Sequence, residues 1–441
     1  MVFNRPPRIQ EPIEFREITI PAPKQLPSKP KVNWLTLGLP LVGSLVAVGL
    51  MFAFLGSAGA LSIVLFVPMI FASVAASIVT NYQEKEEYKK QLAEGKSSYA
   101  LLISQKEEEL SKLISTQRRV LQDNNPDLPA CINWAKEGNL RLGERRPEDA
   151  DYLAFRIGIG KQKAHLEIRP PSEDGRDEAY LDEYRKADSI KPRFSYLENV
   201  PIVPSLLSAG CIGIAGPREQ IRGMSRAALV HLVAHHWPAE MNLAVFCDTL
   251  SATDQWEWVK KLHQHRTTLF EPAVIDVSSA EKGQVEKLEA ELHRRQSFLY
   301  QQKSMNKEDI PARPLPALVV VFDHVDKIYD QAAFALILKE GRNLGAYGII
   351  LVDRFEDIPG ECGATIEFAG DKLIFKETGV SKIPIENIKP DQISVGESAD
   401  FAASLAMIDW LIPAKVTEPP PHVSLIEMFG VSDLNDLPIA A

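Results

Sequence analysis

The residues with the right types and spacing for nucleotide chemistry lie at Gly213-Ile-Ala-Gly216-Pro-Arg218. They follow a strand-like Cys211–Ala215 and precede a helix-like run, Glu219 to His236. A strand, a tight glycine turn and a helix start is where nucleotide-binding folds cradle phosphate, because the free amides of the first helical turn point at the anion. A working loop of this kind reads GxxxxGK[ST]. Here Pro217 removes an amide, Glu219 puts a negative charge where phosphate would sit, and neither the lysine nor the magnesium-binding hydroxyl stands in its place. Arg218 can still meet an anion. The second half of such a site is a strand ending in Asp, usually followed by a Glu that orients the attacking water. Val319-Val-Val-Phe-Asp323 has the strand and the Asp, but His324 stands where Glu would be. Two independent losses predict a fold without hydrolysis. No catalytic residue is expected, and Gly213, Gly216, Arg218 and Asp323 are degenerate positions, with helix capping an equal reading of Asp323.

Three further groups invite a chemical reading. Glu144, Arg145, Arg146, Glu148, Asp149, Asp151 and Arg156 crowd into 13 residues, which predicts either a charged interface that sets partner and register or an ion-paired turn, with Asp149 and Asp151 capping a short helix. His231 and His235 stand four apart on the expected helix, a spacing that can hold zinc. No Glu follows His231 in the HExxH manner and Trp237-Pro238 ends the helix at once, so helix-end capping is the reading and no metal site is expected. The four cysteines, 131, 211, 247 and 362, contain no CxxC pair and read as buried thiols of a reducing compartment.

Parallel strands must position these residues. Continuous apolar runs at 211–215, 242–247, 316–323 and 347–353 alternate with helical stretches at 219–236, 281–302 and 332–340, which predicts an α/β domain with a parallel sheet covered on both faces. Upstream, Val32 to Gln83 carries no Asp, Glu, Lys or Arg. Spans at about 34–55 and 60–80 joined by Gly56-Ser57-Ala58-Gly59 predict a transmembrane hairpin. Lys24, Lys29, Lys31, Lys85, Lys89 and Lys90 flank it, which predicts a multi-pass cell-membrane protein with both termini cytoplasmic. Glu84 to Gln122 is densely charged, with apolar residues from Leu102 to Leu121 at roughly helical spacing; it predicts a stalk helix, interrupted at Gly95, that either oligomerises or packs on its own chain. The net charge is −10, and residues 1–83 and 84–122 carry +3 and +1 of it, leaving −14 beyond. That acidic balance disfavours nucleic-acid binding.

The order of these features resembles the N-terminal part of the FtsK/SpoIIIE-type ATPases of type VII (ESX-type) secretion, the EccC/EssC family. The resemblance rests on Arg5-Pro-Pro-Arg8, the hairpin, Glu144-Arg-Arg-Pro-Glu-Asp-Ala-Asp-Tyr-Leu-Ala-Phe-Arg-Ile-Gly-Ile-Gly160, Gly213 to Arg218, and Trp256-Glu-Trp258 with His263 and His265 beyond. Gly341 to Arg354 is similar to a worn strand-and-sensor segment of such motors, with Asp353 in place of the polar sensor. Gly143 departs from the pattern, which usually has Trp there. The resemblance implies a RecA-like, P-loop NTPase-like parallel-sheet domain with degenerate motifs, preceded by the two-helix hairpin and stalk. The implied organisation is an arm at 1–33, the hairpin at 34–82, a stalk at 83–125, a connecting region at 126–204, the ATPase-like domain at 205–412 and a linker at 413–441, within which Val423 to Gly430 looks like the lead into a motor. It also implies a hexamer working with other secretion subunits, ATP and magnesium only on motor domains beyond this chain, and an anchoring and positioning role in protein export. The alternatives are an NTPase with a non-standard phosphate loop and a DNA translocase component.

Overall fold

The computed structural model describes residues 2–3, 5, 8, 10–27, 29, scattered positions from 42 to 53, and 59–247, 250–263, 274–276, 282–304, 315–323, 331–379 and 383–410. Its residues form two compact units, each discontinuous in sequence. One comprises Met1–Pro12, Val120–Gln162 and Glu198–Ala441; the other comprises Ile13–Arg119 and Lys163–Leu197. The expected boundaries at 126 and 205 do not coincide with these units, because the segment 120–162 packs with the sheet rather than forming a connector.

The first unit is built on a ten-stranded sheet. From one edge it runs Val274–Asp276, Met241–Cys247, Ala317–Asp323, Ala346–Val352, Cys211–Ala215 and Ala364–Ala369, every neighbour parallel. Lys372–Glu377 and Ile385–Pro390 then add antiparallel, followed by Gly158–Lys163 and Tyr196–Ile202. The central strands are apolar without a break because both faces are covered. Val319 and Val321 point into one core with the helix Arg218–His235, whereas Leu318, Val320 and Phe322 point into the other, under Lys282–Ser304 and Ala332–Leu344. Successive strand residues face opposite ways, so one run serves two cores.

Among the described residues, three further strands of this sheet and a helix lie beyond the expected last strand. The sequence reading stops at Asp353, but 364–369, 372–377 and 385–390 extend the sheet. A capping box at Ser394 and Glu397 starts the helix Val395–Ala406. The helix Arg218–His235 also differs from expectation. It is not amphipathic, for every residue from Ile221 to His235 is buried. Its polar residues are satisfied inside: Ser225 Oγ donates to Ile221 O at 2.7 Å, and Arg226 donates to Ile393 O and Gln255 Oε1, both at 3.1 Å.

The second unit holds most of the 66-residue helix Gly59–Asn124, the parallel pair Arg16–Thr19 with Leu166–Arg169, and the helix Leu181–Phe194. Gly95 does not interrupt the long helix. A Cβ there would lie 2.1 Å from Tyr180 Oη, so glycine admits the ring. Tyr99 Oη donates to Pro21 O, Arg193 pairs with Glu107, and Gln117 bonds both the amide and the carbonyl of His165. Of the two readings of the stalk, these contacts are those of a helix packed on its own chain.

Among the described residues, no helix is long and apolar enough to cross a membrane. This overturns the expected multi-pass membrane location and, with it, the two-sided topology. Residues 60–80 open a helix that continues unbroken through the charged 84–122 segment. Most of 34–58, and all of 411–441 with the expected linker, lie outside the described residues.

Phe322 stacks on Phe246 at 5.7 Å and meets Phe334 edge-on at 5.0 Å, with no exposure. Phe322→Ala is expected to lower the unfolding free energy of this unit by about 3–5 kcal/mol, measured by urea denaturation followed through tryptophan fluorescence.

Candidate functional site

The degenerate loop is placed as the sequence reading expects, at the end of the 211–215 strand, but the Gly216 amide is turned away from a ligand. Gly216 N–H donates to Val352 O at 3.2 Å, and Pro217 has no N–H to offer. A Cβ on Gly216 would come 2.7 Å from Phe368 Cβ, and one on Gly213 would come 2.3 Å from Ile358 Cγ2. Both glycines are therefore tied to packing. The open cleft beside the turn, about 460 Å³, is lined by Asp353, Glu356 and Glu367 along with Arg354, a balance that repels phosphate.

Asp323, at the end of its strand, has no solvent exposure. Arg222 Nε donates to its Oδ2 at 2.8 Å, Trp256 Nε1–H to the same oxygen at 2.9 Å, and Arg218 Nη1 to Oδ1 at 3.2 Å. Arg218 Nη2 also reaches Asp353 Oδ1 at 2.7 Å. The loop arginine and the two aspartates of the sequence reading are thus brought together, and two residues it missed, Arg222 and Trp256, complete the cluster. One signal was available: Arg222 lies one helical turn beyond Arg218 on the same face. These residues do not fit a magnesium-bound triphosphate, because the carboxylate faces a cation that belongs to the protein. His324 and His265 lie outside the described residues.

The charged segment turns inward. Arg145 is fully buried: Nη1 donates to Ala154 O at 2.5 Å, Nη2 to Asn125 Oδ1 at 2.9 Å and Asn124 O at 3.1 Å, and Nε pairs with Asp151 Oδ2 at 3.2 Å. Burial pulls its pKa down to about 10 against the attraction of Asp151. Arg156 pairs with Asp391 at 2.7 Å and Glu144 with Arg141 at 2.9 Å. Asp149 and Asp151 cap no helix; they bind Arg8, whose Nη1 reaches both at 2.6 and 2.7 Å. Burial opposes the Arg8 charge, yet the two carboxylates hold its pKa above the ordinary value. Asp149 Oδ2 also accepts from Arg146 N at 2.8 Å. Arg5 donates to Gly143 O at 2.9 Å and to Arg145 O at 2.6 Å. Of the two readings offered for the segment, these contacts are those of the ion-paired turn, and Arg145, Glu144 and Arg156 have almost no surface to present.

The same segment closes a helix end. Gly143 N–H and Arg145 N–H donate to the carbonyls of Ala234 and His235 at 2.8 and 2.9 Å, satisfying acceptors that a buried helix terminus would otherwise orphan. Gly143 has φ +66, and a Cβ there would lie 2.8 Å from Trp237 Cε3 and 3.5 Å from Trp410 Cζ3. The space that a tryptophan at 143 would need is filled by Trp237 and Trp410. His236 is satisfied on both nitrogens, Nδ1 against Leu232 O at 2.7 Å and Nε2 against Leu153 N–H at 2.9 Å. Burial first, then Arg145, push its pKa down to about 3.

With this geometry in place, known proteins can be compared. No protein-family model matches the chain. The ESX secretion system protein EccC of Thermomonospora curvata is 25% identical over 426 residues, 92% of this chain and 30% of that protein. The resemblance holds along nearly the whole chain. EccC of Geobacillus thermodenitrificans is 22% identical and the type VII secretion system protein EssC of Staphylococcus aureus 21%, each over 99% of this chain and 29% of the relative. The chain therefore spans about 30% of the length of these EccC and EssC proteins. Among solved structures, the cytoplasmic domain of the Thermomonospora curvata type VII secretion ATPase EccC is 14% identical, with a TM-score of 0.41 over 62% of this chain and 33% of that one.

Two outcomes test this packing. Arg145→Met is expected to destabilise the sheet unit by about 3–5 kcal/mol, because it strips a buried network of its cation, and Arg145→Glu is expected to prevent folding, read by circular dichroism. The second concerns pH. A histidine with a depressed folded pKa binds its proton more readily when unfolded, so its contribution is full above about 6.5 and is lost as pH falls toward the folded value. His236 is expected to remove about 1.4 kcal/mol of stability per pH unit between roughly 6 and 3. The pH dependence of denaturation midpoints should be shallower by that amount in His236→Gln.

Proposed function

We propose that this chain is a non-hydrolysing, ATPase-like structural part of a type VII secretion apparatus, positioning secretion subunits without turning over nucleotide itself. The observation that carries the reading is Asp323: in an active site of this type the carboxylate would face metal and water, whereas here Arg222, Arg218 and Trp256 take up its oxygens. The turn supports it, since Gly216 gives its amide to Val352 and Pro217 has none. The place in secretion is supported by relatives named EccC and EssC that match 92–99% of the chain. Motor activity, its ATP and magnesium, and hexameric assembly belong on this reading to further domains or chains, and nucleic acid is no partner.

Calorimetric titration with magnesium-ATP, run beside a phosphate-release assay, is expected to show neither saturable binding in the usual enzyme range of about 1 μM–1 mM nor turnover. Magnesium-dependent hydrolysis that disappears in Asp323→Asn would sink the proposal in favour of an NTPase with a non-standard loop. For the secretion role, the tagged full chain should co-purify with type VII secretion subunits from its host. Failure to do so, with the chain folded, would refute that half of the reading.

A further inference from the structure

Two buried histidines have an unused nitrogen, and the third side chain beside them is a thiol. His231 and His235 lie on one face of the helix Arg218–His235, both without meaningful exposure, with rings 4.2 Å apart. Cys131, fully buried, comes from the helix Leu128–Glu137, which Asp127 caps and which packs against the first through Trp134, edge-on to His235 at 5.5 Å. Cys131 Sγ and one ring nitrogen of each histidine fall within 4.8 Å of one another. Nε2 of His231 and Nε2 of His235 are both buried and lack a hydrogen-bond partner. The neighbouring His236, equally buried, satisfies both its nitrogens. An orphaned polar atom in a dry interior is rare and calls for a cause, and here two aim into one small volume beside a thiol.

A carboxylate lies at the edge of that volume. Glu144 Oε1 is 3.9 Å from His235 Nε2. Zinc bonds of about 2.0–2.1 Å to nitrogen and oxygen set tetrahedral donor separations of roughly 3.3–3.5 Å; Glu144 falls outside the cluster of the other three and its Oε1 accepts from Arg141 Nη2 at 2.9 Å, so it stays beside the site rather than in it. We propose that Cys131 Sγ, His231 Nε2 and His235 Nε2 supply three ligands of a tetrahedral site for a divalent cation of the zinc class. The donor set suits that class, since thiolate and imidazole together select zinc over magnesium or calcium. The thiolate offsets one of the two positive charges, and Glu144, which accepts from Arg141 Nε at 3.0 Å and Nη2 at 2.9 Å, is the nearby carboxylate. Burial pushes the Cys131 thiol up to about 12 against the opposing pull of Arg145 and Arg156, so the thiolate forms only as the metal displaces its proton.

Outer contacts orient the ligands. His235 Nδ1 bonds His231 O at 2.8 Å, which leaves Nε2 with its lone pair exposed, the arrangement common to metal-binding histidines. His231 Nδ1 receives a long contact of 3.4 Å from Arg156 N–H. Metal binding moves the His231 proton from Nε2 to Nδ1 and gives up that contact, and the Cys131 proton leaves to solvent. The site joins two helices, so its role is to hold the helix Leu128–Glu137 against the helix end that Gly143 and Arg145 cap.

The test uses the full chain and zinc itself. Elemental analysis after purification in zinc-supplemented medium is expected to give about one zinc per chain, with the melting temperature falling on chelation and recovering on zinc addition. Cobalt(II) substitution should give the intense bands of a tetrahedral site together with a thiolate charge-transfer band, which both Cys131→Ser and Cys131→Ala remove. His235→Gln should lose stoichiometric metal. Because variants in a core can fail to fold, the chelation arm on the parent stands alone: no bound zinc and a melting temperature indifferent to zinc and chelator overturn the proposal. Stoichiometric zinc that survives both Cys131→Ala and His235→Gln overturns it too, since the metal then sits elsewhere.

Discussion

A carboxylate without solvent at the end of a central strand must be matched by charge from within the protein. Asp323 is matched by Arg222 and Arg218, with Trp256 adding a neutral donor. Removing two ions from water costs several kcal/mol each, and only close, well-formed contacts recover it. Both arginines come from the first turns of the helix Arg218–His235, so that helix must start immediately after Gly216 and run under the sheet in one register. Its burial on every side, the tight turn at Gly216–Pro217 and the packing of Trp256 all follow from holding those guanidinium groups against that oxygen pair.

The same requirement governs the other end of the helix. Arg145 carries its charge into the core and is met by carbonyls, an amide and Asp151, while Arg8 neutralises Asp149 and Asp151 from the N-terminal arm. The segment that looks on paper like an advertisement to a partner is consumed in closing its own chain. A surface pair would stabilise by only about 0–1 kcal/mol; buried, the same residue types become a condition of folding. Arg5 and Arg8 dock at two separate points, Arg5 against the carbonyls of Gly143 and Arg145 and Arg8 against the two aspartates.

What could be read from the sequence followed the strength of local signals. The strands at 211, 241, 317 and 346 have unbroken apolar runs that only a doubly covered sheet explains, and they stand within a residue or so of their expected places. The strands at 372 and 385 mix charged and apolar residues over six positions without clean alternation, too little to separate from loop without the neighbour that pairs with them. At the site, Asp323 and Arg218 were legible because a loop and a strand end are marked by position in a motif. Arg222 was not, since its meaning depends on a side chain a hundred residues away. Cys131 was invisible for the same reason: the sequence offered two histidines at helical spacing, and the third donor arrives only when a separate helix packs on them. The charge-free stretch misled in the opposite way, because composition reports what a segment tolerates and not which helix it joins.

Closing a nucleotide site with the protein's own side chains changes how the fold relates to ligand. An open loop that binds the folded state gains stability in proportion to the logarithm of ligand concentration, so its conformation follows the nucleotide supply. On the proposed reading, a loop whose anion receptors are already turned into Val352 O and whose acid already faces Arg222 has no such dependence. Its geometry is set by folding alone. A part that must hold its neighbours in fixed register while they cycle gains from that independence, and the loss of the lysine and the gain of buried arginines are then two sides of one change.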